Sequence, residues 1–302
     1  MLFRSLLLVA AYGHTSHAQI RSVHQIAPGV FTRIGDRDAR QPANTSWIEF
    51  RNFVVVIEAN TPWGLRDILP EIRKTTSKPI RYVFDTHYHW DHTQGNSMMA
   101  DEGVTVVCSQ DCASELAVKG KTEWDQMSKN AEYSLAPYRL QQPSVVFGDF
   151  MAIDDGERRV ELRRVGPAHT IGDAVAFLPK EGVLFTGDLC VNWKSGNNVG
   201  DRDADHQHWV QVLNDLARWN VKTVVPGHGE LGTVATLRLT FAGGDFEDTV
   251  QVVRCQEIKG AAVYQVGTTF LTTAAPSVES LRYLIRRESG RSSGYMRLLR
   301  KD

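Results

Sequence analysis

Residues 86–92 read Thr-His-Tyr-His-Trp-Asp-His and set three imidazoles and a carboxylate within six positions, His87 to His92. Imidazole is a common ligand for zinc and iron, and a carboxylate among imidazoles adds charge and a hard oxygen donor. The apolar run at 80–84 before it reads as a buried strand, and residues 93–100 after it can begin a helix. Ligands at the end of a rigid strand are held better than ligands in a free loop. His87 and His89 are two apart, so in extended backbone they point the same way and can share one metal. Asp91 and His92 follow where the chain turns and can face a second. The rival reading, a polar loop with solvated histidines, is tested by what the rest of the chain supplies. Three further polar punctuations follow apolar runs: Gly166-Pro167-Ala168-His169-Thr170, then Thr186-Gly187-Asp188, then Pro226-Gly227-His228-Gly229. Each sets a His or Asp just past a probable strand, beside a glycine that lets backbone approach closely.

The ordered set His-x-His-x-Asp-His, then His, Asp and His, resembles the metallo-β-lactamase superfamily over residues 24–258. The resemblance implies that His87, His89 and His169 hold a first metal, that Asp91, His92 and His228 hold a second, and that Asp188 bridges the two. It implies two Zn2+ per chain, a nucleophilic hydroxide generated between them, and a double role for Asp91 as ligand and as the catalytic group that orients the nucleophile. Many β-lactamases of this fold carry cysteine at the position matching Asp188. An aspartate there is similar to the thioesterase, lactonase and general hydrolase members. Against that, Asn197 to Asp201, followed by Asp203, Asp205 and Trp209, resembles the segment that β-lactamases place after the metal-bridging strand. Asn198 matches an asparagine that contacts the substrate carboxylate there. Lys194 is offered as the accompanying cation, with a spacing from Asp188 that departs from the family pattern.

The chain has 302 residues, 42% of them hydrophobic, enough for one well-buried domain. A net charge of −1 gives no electrostatic case for nucleic acid or an anionic membrane, so a small-molecule substrate is expected. Arg4, the apolar residues 6–11 and Ser16-His17-Ala18 read as a secretory signal over 1–18, with a disordered or buried start as the rival, and a signal would place the mature protein in the periplasm or outside the cell. The apolar stretch is too short to span a bilayer, and no stable membrane insertion is expected. Of the four cysteines, Cys108 and Cys112 are placed for a local disulfide or for free core thiols, Cys190 reads as a core thiol, and Cys255 is unassigned.

Residues 30–34 alternate as a half-buried strand does, and residues 47–50 and 53–57 flank Arg51-Asn52 as a hairpin. Leu65, Ile68, Leu69 and Ile72 follow helical spacing. Residues 121–138, with Trp124, Met127, Tyr133 and Tyr138, read as an insertion or lid, or as a plain surface helix. Asp154-Asp155-Gly156 is a turn. The acids at 201, 203 and 205, with His206 and His208, read as entry to a helix whose stripe is Trp209, Val212, Leu213, Leu216 and Trp219. Asp245 is expected to cap a closing helix with Phe246, Val250 and Val253 on one face. Ser277 is offered as the cap of a basic helix, ahead of an Arg- and Ser-rich end.

The expected fold is an α/β αβ/βα sandwich, two mixed sheets face to face with helices outside, spanning a catalytic domain at 19–258 with an extension at 259–302. The expected activity is metal-dependent hydrolysis of an ester, thioester, lactone or cyclic amide, with β-lactam hydrolysis the best-supported specific substrate. Two rivals stand beside it: a persulfide dioxygenase holding one Fe2+ through part of the same set, and a binding module, against which the retention of all seven ligands argues.

Overall fold

A computed structural model of the chain describes residues 20–129, 135–192, 203–241, 244–257 and 264–270. The expected signal segment, Lys194, Asn198, Tyr133, Asp201 and the Ser277 helix lie outside the described residues.

Strands β1 (Val23–Ala27), β2 (Val30–Arg33), β3 (Thr45–Glu49) and β4 (Val54–Ile57) form an antiparallel meander. The expected hairpin about Arg51-Asn52 joins the last two. Helix α1 (Pro62–Thr75) follows, with Thr61 Oγ1 accepting the Gly64 N–H and Pro62 in the first turn, where its missing N–H costs nothing. The chain then adds β5 (Ile80–Phe84), β6 (Thr105–Ser109) and β7 (Val145–Phe147) as parallel neighbours, giving a seven-stranded mixed sheet in sequential order. Between β5 and β6 lie the short helices α2 (Trp90–Thr93) and α3 (Asn96–Asp101). After β6 come α4 (Gln110–Glu115), a π-helical turn at Leu116–Gly120, and α5 (Lys121–Met127).

The second half is laid out alike. Strands β8 (Phe150–Asp154), β9 (Arg159–Arg164), β10 (Ala174–Leu178) and β11 (Val183–Phe185) are antiparallel, and β13 (Thr223–Val225) joins β11 in parallel after α6 (His206–Leu216). The hairpin from β8 to β9 turns at Asp155-Gly156, where Gly156 has φ +85.

Burial follows the alternation of side chains along each strand. Ile48, Val55, Ile57, Phe84 and Val107 face Val160, Leu162, Ala176, Leu178 and Phe185 between the sheets. On the outer face of the first sheet, Trp47, Val56, Val83 and Val106 pack under Leu65, Ile68 and Ile72 of α1. On the outer face of the second, Val175, Phe177 and Leu184 pack under Trp209, Val212 and Leu216 of α6. Two sheets with helices outside each make the expected αβ/βα sandwich.

One expectation fails. The segment read as a helix capped by Asp245 is instead β16 (Gly244–Glu257), paired with β15 (Val234–Phe241) and β17 (Tyr264–Phe270) in an antiparallel three-stranded sheet. The helical spacing of Phe246, Val250 and Val253 competes with a run rich in β-branched residues, Thr249, Val250, Val252 and Val253, and ladder partners on both sides decide for the strand. Cys108 and Cys112 are buried thiols, so the local disulfide is not formed.

Candidate metal centre

Strand β5 lies between β4 and β6 in the parallel part of its sheet, and its carboxyl end is where open α/β sheets place ligands. Two backbone bonds extend the ladder past the strand, from Asp85 N to Val107 O (3.0 Å) and from Glu58 N to Phe84 O (2.9 Å). They hold the chain as far as Asp85, and His87 to His89 follow in the short connection between β5 and α2. His89 then caps α2, its carbonyl accepting the His92 and Thr93 N–H groups at 3.1 and 3.2 Å. Gly95 lies against the β4–α1 connection so closely that a Cβ there would meet Ala59 O at 2.2 Å, and this fixes α2 and its residues Asp91 and His92.

The remaining candidates come from the second half. His169 sits between β9 and β10, where Asp173 accepts from Thr170 N (2.9 Å) and Thr170 Oγ1 (2.7 Å). Ala174 N donates to Thr86 O at 2.8 Å and joins the two halves beside the site. Asp188 lies in a single turn of 3-10 helix, Gly187–Leu189, after β11. His228 opens β14 (His228–Gly229), which pairs in parallel with β12 (Val191–Asn192). Asn44 anchors this corner through Nδ2, donating to Pro226 O and Gly229 O, each at 2.9 Å.

The fold brings all seven together. His87, His89 and His169 form one cluster, with Nε2 of His87 and of His169 at 3.1 and 3.0 Å from Nδ1 of His89. Asp91, His92 and His228 form another, with the His92 and His228 Nε2 atoms 3.2 Å apart and Asp91 Oδ2 at 3.3 Å from His228. The Asp188 carboxylate reaches both: Oδ1 is 3.3 Å from His92 Nε2 and 3.1 Å from His228 Nε2, and Oδ2 is 3.7 Å from His169 Nε2. Six of the seven are buried, and His89 is half-buried.

The outer nitrogens show how these rings are set. His228 Nδ1 lies 2.7 Å from the Pro42 carbonyl, which can only accept, so the proton sits there and the Nε2 lone pair points inward. His92 Nδ1 faces Glu58 Oε2 at 3.2 Å, an oblique electrostatic contact rather than an aligned hydrogen bond, and it favours the same tautomer. His87 Nδ1 pairs with Thr86 Oγ1 at 3.0 Å. Inward lone pairs and carboxylate oxygens at 3.1–3.3 Å from one another call for positive charge between them.

Ionisation carries the same signature. Burial opposes charge on His92 and His228, yet the Glu58, Asp91 and Asp188 carboxylates outweigh it at His92, and Asp188 and Asp91 at His228, so both pKa values rise. Burial would raise Asp188, but His228 and His92 hold it well below the usual carboxylate range. In the other cluster burial dominates: His87 is pushed well below its ordinary value and His169 down to about 4. His87 and His169 are thus neutral, as ligation requires, and the carboxylates around His92 and His228 draw positive charge that a bound cation would supply in place of a proton, so the donor set fits metal ions.

Three supporting residues escaped the sequence reading. Glu58 follows the buried β4 run, and an acid there was the available signal. Pro42 and Asn44 carried none, because their partners lie more than 180 positions away. Of the acids at the start of α6, Asp205 caps the helix as expected, accepting from His208 N at 3.0 Å. Asp203 instead turns to the Tyr88 hydroxyl. Cys190 is buried, as expected of a core thiol. In the segment expected to be a lid or surface helix, Met127 Sδ lies 3.2 Å from Gln94 Nε2.

The sequence model of the metallo-beta-lactamase superfamily matches residues 39–228. A metallo-beta-lactamase type 2 from Bacillus cereus is 28% identical over 173 residues, covering 55% of this chain and 59% of its own. A beta-lactamase-like protein 2 homolog from Caenorhabditis elegans is 24% identical over 161 residues, 53% of this chain and 46% of its own. This chain thus spans between about half and three-fifths of the curated relatives it matches. Among solved structures, a metallo-beta-lactamase from Pontibacter korlensis superposes with a TM-score of 0.57 at 24% identity, over 70% of this chain and 93% of that one. The DIM-1 metallo-beta-lactamase does so with a TM-score of 0.57 at 19% identity, over 71% and 92%. The chain belongs to the metallo-β-lactamase superfamily.

Proposed function

We propose that this chain is a binuclear zinc hydrolase acting on a small ester, thioester, lactone or cyclic amide. The observation that carries the reading is the Asp188 carboxylate, set between two clusters of inward-pointing donors within reach of both. His87, His89 and His169 would hold one zinc and Asp91, His92 and His228 the other. When bound there, zinc would supply a Lewis acid for the scissile carbonyl and lower the pKa of its water to about 7. Asp91 Oδ2, 3.3 Å from His228 Nε2, is placed to orient the attacking water and to take its proton. Glu58 and the Pro42 carbonyl keep the His92 and His228 rings in the tautomer that ligates.

A β-lactam is the specific substrate favoured by the type 2 metallo-beta-lactamase relative and by the expected secretory start, with Asn198 and Lys194 proposed to bind its carboxylate. The aspartate at 188 favours a lactone or thioester. Secretion to the periplasm or medium is part of this proposal, and N-terminal sequencing of the mature protein should then begin at Gln19. The deciding experiment is elemental analysis of the purified protein paired with turnover of nitrocefin, a lactone and a thioester. Two zincs per chain with nitrocefin turnover abolished by a chelator is the expected result. Two zincs with lactone or thioester turnover alone would reassign the substrate, and one iron per chain would overturn the hydrolase in favour of a dioxygenase.

A further inference from the structure

We propose that Glu115, Lys119, Asp203 and Tyr88 form a positioning network that fixes the two outer imidazoles of the centre, His89 and His169. The inference rests on reading His87, His89 and His169 as a metal cluster.

His89 and His169 meet each other at 3.0 Å, and each is carried by a loop with its own support. The His169 loop lies flat on the first turn of α4. A Cβ on Gly172 would meet Cys112 N at 2.2 Å, Gly172 N donates to Glu115 Oε2 at 2.8 Å, and Gly172 O accepts from Ser109 Oγ at 2.7 Å. His89 packs against the Tyr88 ring, with centroids 4.6 Å apart at 67°. The Tyr88 hydroxyl donates to Asp203 Oδ2.

One cation joins these supports. Lys119 Nζ lies 2.8 Å from Glu115 Oε1, 3.1 Å from Asp203 Oδ2 and 5.6 Å from the Tyr88 ring centroid. Its position comes from the π-helical turn, a form concentrated at functional sites. Gly120 ends that turn against Tyr88, where a Cβ would stand 3.7 Å from the ring. Glu115 is buried and Asp203 is 25% exposed, so loss of the ammonium leaves two carboxylates, one of them buried, close together with no cation between them. Each carboxylate holds one ligand-bearing loop, and the strain of that repulsion falls on the contact between His89 and His169.

The test is zinc titration of the metal-free protein in competition with a chromophoric chelator, for the parent, Lys119→Met, Lys119→Arg and Tyr88→Phe. Loss of a partner behind a metal ligand costs about 10–100-fold in affinity. Lys119→Met is expected to weaken one of two zinc-binding steps by that factor and leave the other in place. Lys119→Arg should restore most of it, and Tyr88→Phe, which keeps the ring and loses the hydroxyl, should weaken the same step by less. Both steps unchanged in Lys119→Met and Tyr88→Phe would overturn the proposal. So would equal weakening of both steps with a lowered melting temperature, because that is general destabilisation. Should Lys119→Met not fold, Tyr88→Phe decides alone. A parent protein that takes up no zinc overturns the metal-centre reading itself, and this proposal with it.

Discussion

Replacing Gly227 by alanine should disable the centre without touching a ligand. A Cβ at 227 would stand 2.0 Å from Asp188 Oδ1, 2.8 Å from the Gly187 carbonyl carbon and 3.0 Å from Asp188 N. The backbone cannot retreat, because Gly227 N donates to Gly187 O (2.8 Å) and Cys190 O (3.1 Å), and Gly227 O accepts from Asn44 N (2.7 Å). The carboxylate must therefore give way by about 1 Å to reach even the closest approach that real Cβ atoms show, several times the ~0.2 Å tolerance of a ligand bond. A displacement of that size at a reacting centre costs on the order of 100-fold in rate. The overpacking itself should cost about 1–3 kcal/mol, so the fold is expected to survive. The assay is zinc per chain after dialysis, with circular dichroism as the fold control and turnover on whichever substrate the parent cleaves. A folded Gly227→Ala protein with the parent's zinc content and rate would refute the bridging geometry of Asp188.

Glu58→Ala leaves the buried His92 Nδ1 without its carboxylate and is expected to weaken zinc by about 10–100-fold, read by the same competition titration. Leu65→Ala empties a fully buried site under α1 and should cost about 2–5 kcal/mol in urea unfolding, leaving zinc stoichiometry unchanged. Asp155 accepts from the N–H groups of Arg51, Glu157 and Arg158, and the first of these contributes most to lowering its pKa to about 2. A depressed folded pKa gives stability that is present above the unfolded value near ~4 and is lost as pH falls toward about 2. Asp155→Ala should therefore lower the melting temperature at neutral pH and flatten the acid side of the profile between those values. A mutant curve parallel to the parent's would rule that out.

The seven candidate ligands were legible because ligation restricts residue type so sharply. His and Asp at fixed offsets beside glycine, after apolar runs, leave few other readings. A sheet with helices outside was legible from the alternation in β2, the hairpin signal at Arg51-Asn52 and the helical stripes of α1 and α6, and the sandwich itself from the family resemblance. What could not be read is whatever depends on contacts distant in the chain. Nothing near Pro42 announces that its carbonyl will orient His228. Asp203 looks like any acid at a helix entrance until Tyr88 is brought to it. The strand at 244–257 was misread because Phe246, Val250 and Val253 fit a helical face, whereas strand pairing with β15 and β17 is invisible to local spacing.

The ligand-bearing loops divide between the halves of the molecule: four donors follow β5, and three come from the loops after β9, β11 and β13. Loaded with metal, the centre would be a clasp between the halves, and its affinity would become part of what keeps them folded. Free zinc at a thousand times its dissociation constant would add about 4 kcal/mol to the unfolding free energy, comparable to a large share of what holds a domain together. On the proposed zinc reading, metal starvation and heat would act on the same equilibrium, and a chelator added to the loaded protein should lower its melting temperature as it removes the ions.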